Sequence, residues 1–401
     1  MLADRERPVK AGFLDRFPRS VPATGYRRRP RKLAGGIRLD TEAEWMHIVS
    51  AYIRGTMRIE DIAREAGVST ATVSRVLNNP ELVKRETRDR VLAVVRRREY
   101  TPNSLARGLM TKQSKTVGVL IISISNSYYM EITETIQRRL REAGFMMLLA
   151  ATDDRAELER AYIREFGSRR ADGIVVIDAS EENFADGFFE REAAKRPLVL
   201  VHSSPRIASS PLGQVFVDQR LGMRGVMDYL AGLGHAEVAL LRGERGFSYD
   251  VKEAARAEWL AERGLPERRD LVLRIEDGNS EDAIPLAEEA VGAAIREGRL
   301  PTAVFACNDL MARGAVNAAT RAGLRIPEDL SIVGHDNTIL AVSGRVQLTS
   351  VDLKMRSVGQ AAAGLLLAQL SGGEAAAALS VEPELVVRDS AGPAPARKEE
   401  P

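Results

Sequence analysis

The sequence predicts two kinds of module on one chain: a small all-α head of helix-turn-helix type, then a large α/β body of two lobes. Three observations lead there. Charge is partitioned unevenly, although the 401 residues carry a net charge of only +2. Residues 1–57 hold 12 Lys and Arg against 6 Asp and Glu, and residues 58–115 hold 13 against 7, whereas 116–401 carries a balance of −10. A basic front on an acidic body fits a nucleic-acid-facing module joined to something else. Short helical patterns crowd into 58–100, and from Thr116 onward short apolar runs alternate with helical stretches.

Residues 1–40 are rich in Arg, Pro and Gly, with YRRRPRK at 26–32, and read as disordered. Thr41 and Glu44 form a capping box before Trp45, Ile48, Val49 and Tyr52, a short amphipathic helix that Gly55 ends. Met57 stands directly before the first clear domain. Translation is expected to begin there, which makes residues 1–56 of the 1–57 extension non-native; the competing reading is a genuine basic arm.

The head spans 58–101. Its first helix is Ile59–Ala66, with Ile59, Ile62, Ala63 and Ala66 on one face, and Gly67 ends it. The second is the Ser- and Thr-rich run GVSTATVSRVLNNP at 67–80. Its hydroxyls compete for the backbone and lower helix propensity. Even so, Ser69 is placed to cap, and Val68 and Val73 to staple. The third helix is expected from Thr87 as N-cap to about Glu99. Two short helices about a tight glycine turn, closed by a third, make a helix-turn-helix. The second helix would bury Val73, Val76 and Leu77, turning Thr70, Ala71, Ser74, Arg75 and Asn78 outward. Such residues suit base edges in a major groove, and Ser69 and Thr72 at the helix start suit phosphate. An ordinary surface helix in a small bundle is the plainer reading, which the charge partition opposes.

Residues 102–115 read as a short helix and linker. Asn103 can cap Ser104–Met110, and Leu105, Ala106 and Leu109 form an apolar stripe on a helix too short to stand alone. Two partners are possible: the base steps of a minor groove, or the larger domain.

Strands are expected at 116–124, 145–152, 173–178, 197–202, 215–218, 236–241, 271–275, 302–306 and 330–334. Their rhythm with helices gives parallel sheets covered on both faces. Nine strands exceed one compact sheet, so the body at 116–388 divides into two lobes with a ligand cleft at the strand C-terminal ends. The tail at 389–401, rich in Pro and charge, reads as disordered.

The same residues exclude other classes. The longest apolar run, VGVLII at 117–122, is too short to span a bilayer, and no apolar signal region follows the early arginines. A cytoplasmic protein without membrane partners is expected. One cysteine, Cys307, builds neither a disulfide nor a zinc site, and the four histidines share no metal spacing. No glycine-rich phosphate fingerprint occurs, so neither cofactor, metal nor catalytic residue is assigned, and an enzyme is not expected.

The run RIEDIAREAGVSTATVSRVLNN at 58–79, followed by YTPNSLARGL at 100–109, resembles the lactose/galactose repressor (LacI/GalR) family. ISNSYYMEI at 124–132, LGHAEVALLRG at 233–243, FACNDLMARGAV at 305–316, IPEDLSIVGHDN at 326–337 and LTSVDL at 348–353 agree, so the resemblance covers 58 to about 388. It implies a transcription factor, most simply a repressor. A homodimer would place two heads on palindromic double-stranded operator DNA, with Tyr100, Asn103, Ala106 and the minor-groove Leu109 joining the second helix as DNA contacts. It also implies a two-lobed, periplasmic-binding-protein-like (type I) effector domain whose cleft takes a small polar effector of the sugar class. Tyr128 and Tyr129 fall where the family stacks aromatics on its ligand, and Asp309 where it has a ligand-binding Asp. Asp309 could instead cap its own helix. Lys252 stands where the family's usual Arg does, His202 where many members carry Asp, and Asn279 near a position often aromatic, so a standard hexose is a less safe expectation. His235 reads as structural. The alternative from another class, a solute-binding protein without a DNA role, would lack the helix-turn-helix.

Overall fold

The computed structural model describes residues 58–100, 113–203, 212–373 and 378–395. The expected extension at 1–57, and Asn103, Ala106 and Leu109 of the linker helix, lie outside them. The chain divides into two compact units, 1–102 and 103–401.

The first unit contains α1 (Ile59–Ala66), α2 (Thr70–Asn78) and α3 (Arg85–Arg97). Gly67 ends α1 at φ +64°, the left-handed conformation glycine adopts without a Cβ penalty, and so lets the chain turn at once into α2. Ile62, Ala63, Ala66, Val73, Val76, Val91 and Val94 form the core, with Val68 and Leu77 packed at its edge. The third helix starts two residues before the expected Thr87 cap, at Arg85. Glu65 of α1 binds Arg97 and Arg98 beyond the core, and these two guanidiniums hold its carboxyl below the usual range.

The second unit is two α/β lobes. Lobe 1 has a six-stranded sheet built from β1 (Thr116–Ile121), β2 (Met146–Ala151), β3 (Gly173–Ile177), β4 (Leu198–His202), β5 (Gly213–Val217) and β11 (Leu379–Val381), in the order β11-β5-β4-β3-β1-β2. Every pairing in it is parallel, for example Leu120 against Val176. Helices α4 (Ser127–Glu142), α5 (Ala156–Ser168), α6 (Glu181–Ala185), α7 (Phe188–Ala193) and α13 (Met355–Leu370) belong to this lobe.

Lobe 2 repeats the plan. Its strands are β6 (Ala239–Gly243), β7 (Val272–Ile275), β8 (Ala303–Ala306), β9 (Ser331–Asp336), β10 (Thr349–Asp352) and β12 (Glu384–Val386), ordered β12-β10-β9-β8-β6-β7. Only β10–β12 is antiparallel. Helices α8 (Gln219–Gly232), α9 (Phe247–Glu262), α10 (Ala283–Arg296), α11 (Asp309–Arg321) and α12 (Ile339–Val342) complete it. The chain crosses between lobes three times: after β5, after β10, and between β11 and β12. Three crossings between the lobes make a hinge, and residues at strand C-terminal ends of both sheets, such as Asp178 and Asp336, line the space between the lobes.

All nine expected strands occur. The sequence pattern missed β10, β11 and β12, which are three or four residues long and too short for a period to register. The expected disordered tail is corrected over 389–395. Ser390 is fully buried, its hydroxyl donating to the Ile332 carbonyl and accepting from Thr349 N–H (2.9 Å), and Gly392 N–H donates to Ser331 Oγ at 3.1 Å. This segment is a pairing strip for lobe 2, a role its Pro-rich composition conceals. Ser114 N–H and Lys115 N–H both donate to the Asp172 carboxylate (2.8 and 2.7 Å), anchoring the entry to β1.

Candidate functional sites

In the head, Ser69 caps α2 by accepting from Thr72 N–H at 3.1 Å, and the two hydroxyls share a hydrogen bond of 2.9 Å. Ser69, Thr70, Ala71, Arg75 and Asn78 are exposed, and Thr72 and Ser74 half-buried. Asn78 turns its amide back on Ser74, donating to the carbonyl (2.9 Å) and reaching the hydroxyl (3.3 Å). The Arg75 guanidinium makes no hydrogen bond or ion pair among the described residues. An exposed guanidinium among small hydroxyl side chains, on a helix whose opposite face is core, is the geometry of a major-groove reader. Tyr100 follows α3 directly; it is half-buried, and its ring packs against the head's own core.

Between the lobes, Asn126 caps α4 by accepting from Tyr128 N–H (3.0 Å), which turns Tyr128 and Tyr129 into the cleft as an edge-to-face pair with centroids 5.0 Å apart. Tyr129 donates its hydroxyl to Asp178 (3.0 Å), and the same oxygen lies 3.4 Å from Asn279 Oδ1 across the cleft. Tyr249 of α9 meets Asn279 Oδ1 from the other side at 3.0 Å. Asn279 therefore sits where both lobes converge.

Lys252, one turn beyond Ser248 on α9, is 2% exposed, its ammonium 5.6 Å from the Tyr249 ring centroid. No carboxylate pairs with it among the described residues. It nevertheless shares the site with Asp178, at the end of β3, and Asp336, at the end of β9. Burial pushes both carboxyls up, and Lys252 opposes the rise through space. Burial also raises Asp154 to about 6, with Asp178 adding like charge.

Two adjoining spaces result. An inner notch of about 20 Å³ is lined by Tyr128, Gln219, Lys252, Asn308 and Asp336 among others. An outer chamber of about 190 Å³ is lined by Asp154, His202 and Asp250 among others, and the two share Tyr129, Asp178, Ser248 and Asn279. His202 is held by Gln214 (Nε2 to Oε1, 3.0 Å) and by the Phe184 ring, 5.5 Å away edge to face.

Five of the six expected cleft residues thus come together. Asp309 is the correction. It is 1% exposed and lines neither space; its carboxylate accepts from Thr338 N–H (2.6 Å), Thr338 Oγ1 (3.0 Å) and Ser350 Oγ (2.7 Å). Nor does it cap α11: Asn308 does, accepting from Met311 N–H at 2.9 Å. Asp309 clamps α11 to the β9–α12 turn and to β10, and a Cβ at Gly334 would stand 2.4 Å from its carboxylate. The inward carboxylates of the cleft are instead Asp154, Asp178 and Asp336, which the sequence reading passed over, while Asp250 of the outer chamber is exposed and paired with Arg242. A signal existed for the inward three, since each stands at or just after a parallel strand's C-terminal end.

A helix-turn-helix with a free polar face, on a chain whose other unit closes two lobes over a polar cleft, defines a ligand-responsive DNA-binding protein. Residues 58–103 match the family model for bacterial regulatory proteins of the lacI family, and 227–391 match a periplasmic-binding-protein-like domain. Catabolite control protein A of Priestia megaterium is 34% identical over 77% of this chain and 91% of its own length. The HTH-type transcriptional regulator DegA of Bacillus subtilis is 32% identical, covering 84% and 98%. The lac repressor dimer bound to operator and the anti-inducer ONPF matches with a TM-score of 0.73 at 25% identity, over 84% of this chain and 99% of that one. The chain belongs to the lacI family, and it is a DNA-binding transcriptional regulator. Among the described residues no helix is long and apolar enough to cross a membrane.

Proposed function

We propose that this protein represses transcription as a homodimer on a palindromic operator, and that a small, hydroxyl-rich effector held between its lobes controls its affinity for DNA. The observation that carries the reading is the partner-free Arg75 among Thr70, Ala71 and Ser74 on α2. Nothing within the head uses this face, so DNA can.

Cleft chemistry supports the effector class. Three buried or largely buried carboxylates and the Asn279 carbonyl oxygen are acceptors, whereas Lys252 is the one ammonium in the inner notch. A ligand that brings several O–H donors satisfies such a set, while a polyanion is repelled by it. Lys252 gives a point donor where a planar guanidinium would grip two oxygens, which disfavours recognition of a carboxylate or vicinal diol by a fork. Apolar side chains exposed on edge strand β2 (Met146, Leu149), in the loop before α4 (Ile124) and on α12 (Ile339) favour a second copy as the partner of that face.

The test titrates palindromic duplexes, selected from random sequence, in gel-shift assays. Arg75→Ala is expected to weaken specific binding by about 1–3 kcal/mol, and Leu109→Ala to weaken specific more than non-specific binding. Undiminished affinity in both variants would overturn the assigned reading face. A thermal-shift screen of sugars, polyols, sugar acids and nucleobases then identifies the effector class; stabilisation by sugar acids alone would overturn the donor-rich reading.

A further inference from the structure

We propose that lobe 2 carries a second ligand site, separate from the cleft: a cavity between α8 and α9 that takes a small organic carboxylate with an apolar body. The cavity holds about 180 Å³ and is walled by Met227, Trp259, Leu260, Leu265 and Leu271. An engineered protein cavity of about 150 Å³ lined by apolar groups accepts benzene, so a single ring fits this volume.

The cavity also contains Arg256, whose side chain is 3% exposed. One terminal nitrogen donates to the Val238 carbonyl at 3.3 Å, and its buried Nε has no partner. No carboxylate forms an ion pair with this guanidinium among the described residues; Glu267 and Glu253 act on it only through space. The other polar groups of the lining are already engaged. Arg268 is held by Asp270 and Glu237 (2.6 and 2.9 Å), and His235 is fixed by Thr302 Oγ1 (2.8 Å) and the Gly392 carbonyl (3.0 Å).

A buried, unpaired guanidinium is costly, and the cost is relieved by an anion that fits its planar fork. A carboxylate does so with two parallel hydrogen bonds, and its apolar body then lies on Trp259 and the leucines. Position gives the site a consequence. Tyr249 and Lys252 of α9 face the cleft, and Arg256, one turn on from Lys252, faces the cavity. The two sites share one helix.

Trp259 is one of only two tryptophans, so in a Trp45→Phe background of the full chain its fluorescence reports on the cavity. Titration with benzoate is expected to give a saturable change, with benzamide, the neutral isostere, binding about tenfold or more weakly. Arg256→Met should lower benzoate affinity by a similar factor. Ala231→Phe, at the lining but leaving the guanidinium in place, should block the same response and keeps the proposal testable if Arg256→Met fails to fold. No saturable change up to about 10 mM benzoate, equal binding of the two probes, or undiminished benzoate binding in either variant would overturn it.

Discussion

The outward face of α2 and the floor of the cleft are both polar, yet they are satisfied in opposite ways. On α2 the hydroxyls and Arg75 stand in solvent, and their intramolecular bonds are local, within four residues. In the cleft the polar atoms are buried and find one another across long stretches of chain: Tyr129 meets Asp178 and Asn279, which lie 49 and 150 residues away. A surface reader can be changed one residue at a time with little effect on folding. A buried polar floor is shared between ligand recognition and stability, and which of the two a given residue serves depends on where its hydrogen bonds go.

Asp309 is the sharpest place to test that distinction. Asp309→Ala leaves the Thr338 amide and hydroxyl and the Ser350 hydroxyl without their acceptor in the core of lobe 2. The expected loss is about 4 kcal/mol of stability, read as a fall in the thermal midpoint of the effector domain. If Asp309→Ala instead keeps that midpoint and loses only the effector response, Asp309 belongs to the cleft after all.

A smaller effect comes from Asp154. Its folded value of about 6 lies above the ordinary 3.8. Between those values the folded chain binds the proton more tightly than the unfolded chain. The stability from this group is therefore fully present below about pH 4 and is lost as pH rises through 6. A shift of this size corresponds to at most about 3 kcal/mol. Asp154→Asn removes that titration, so the decline in thermal midpoint from pH 4.5 to 7 should be shallower in the variant. An unchanged slope would show that Asp154 is not the buried acid of the outer chamber. Asp309, raised to about 6 by its own burial, contributes with the same sign in both proteins.

The smallest expected effect is the most selective. Lys252→Met removes the inner notch's ammonium and should weaken the identified effector by about 1.4 kcal/mol, or tenfold, in calorimetric titration, with operator affinity in the absence of effector unchanged. Equal loss of both affinities would make Lys252 a structural residue and erase the contrast between the two regions.

The head was legible because its determinants are local. Gly67 as the turn, Ser69 as the cap and Val73, Val76 and Leu77 as the inward side all follow from spacing, and the start of α3 was misplaced by a few residues, since helix ends are weakly specified by local sequence. The cleft was legible as a place, at the strand ends of a two-lobed body, and Tyr128, Tyr129, His202, Lys252 and Asn279 do line it. Its carboxylates were not, because Asp178 and Asp309 are each a single acidic residue beside a strand or helix. Nothing in their local sequence distinguishes one that meets Tyr129 from one that meets Thr338.

By itself the sequence determined the kind of module at each position along the chain: a three-helix reader, then alternating strands and helices enough for two lobes. Periodicity, capping and turn chemistry act over a few residues, so they can be read without a fold. Only the tertiary structure decided which buried polar groups face the cleft, which clamp the core, that residues 389–395 pair with lobe 2, and that Arg256 is left without a carboxylate partner. Those outcomes depend on groups tens to hundreds of residues apart meeting within 3 Å, where a buried donor or acceptor either finds its mate or is left without one.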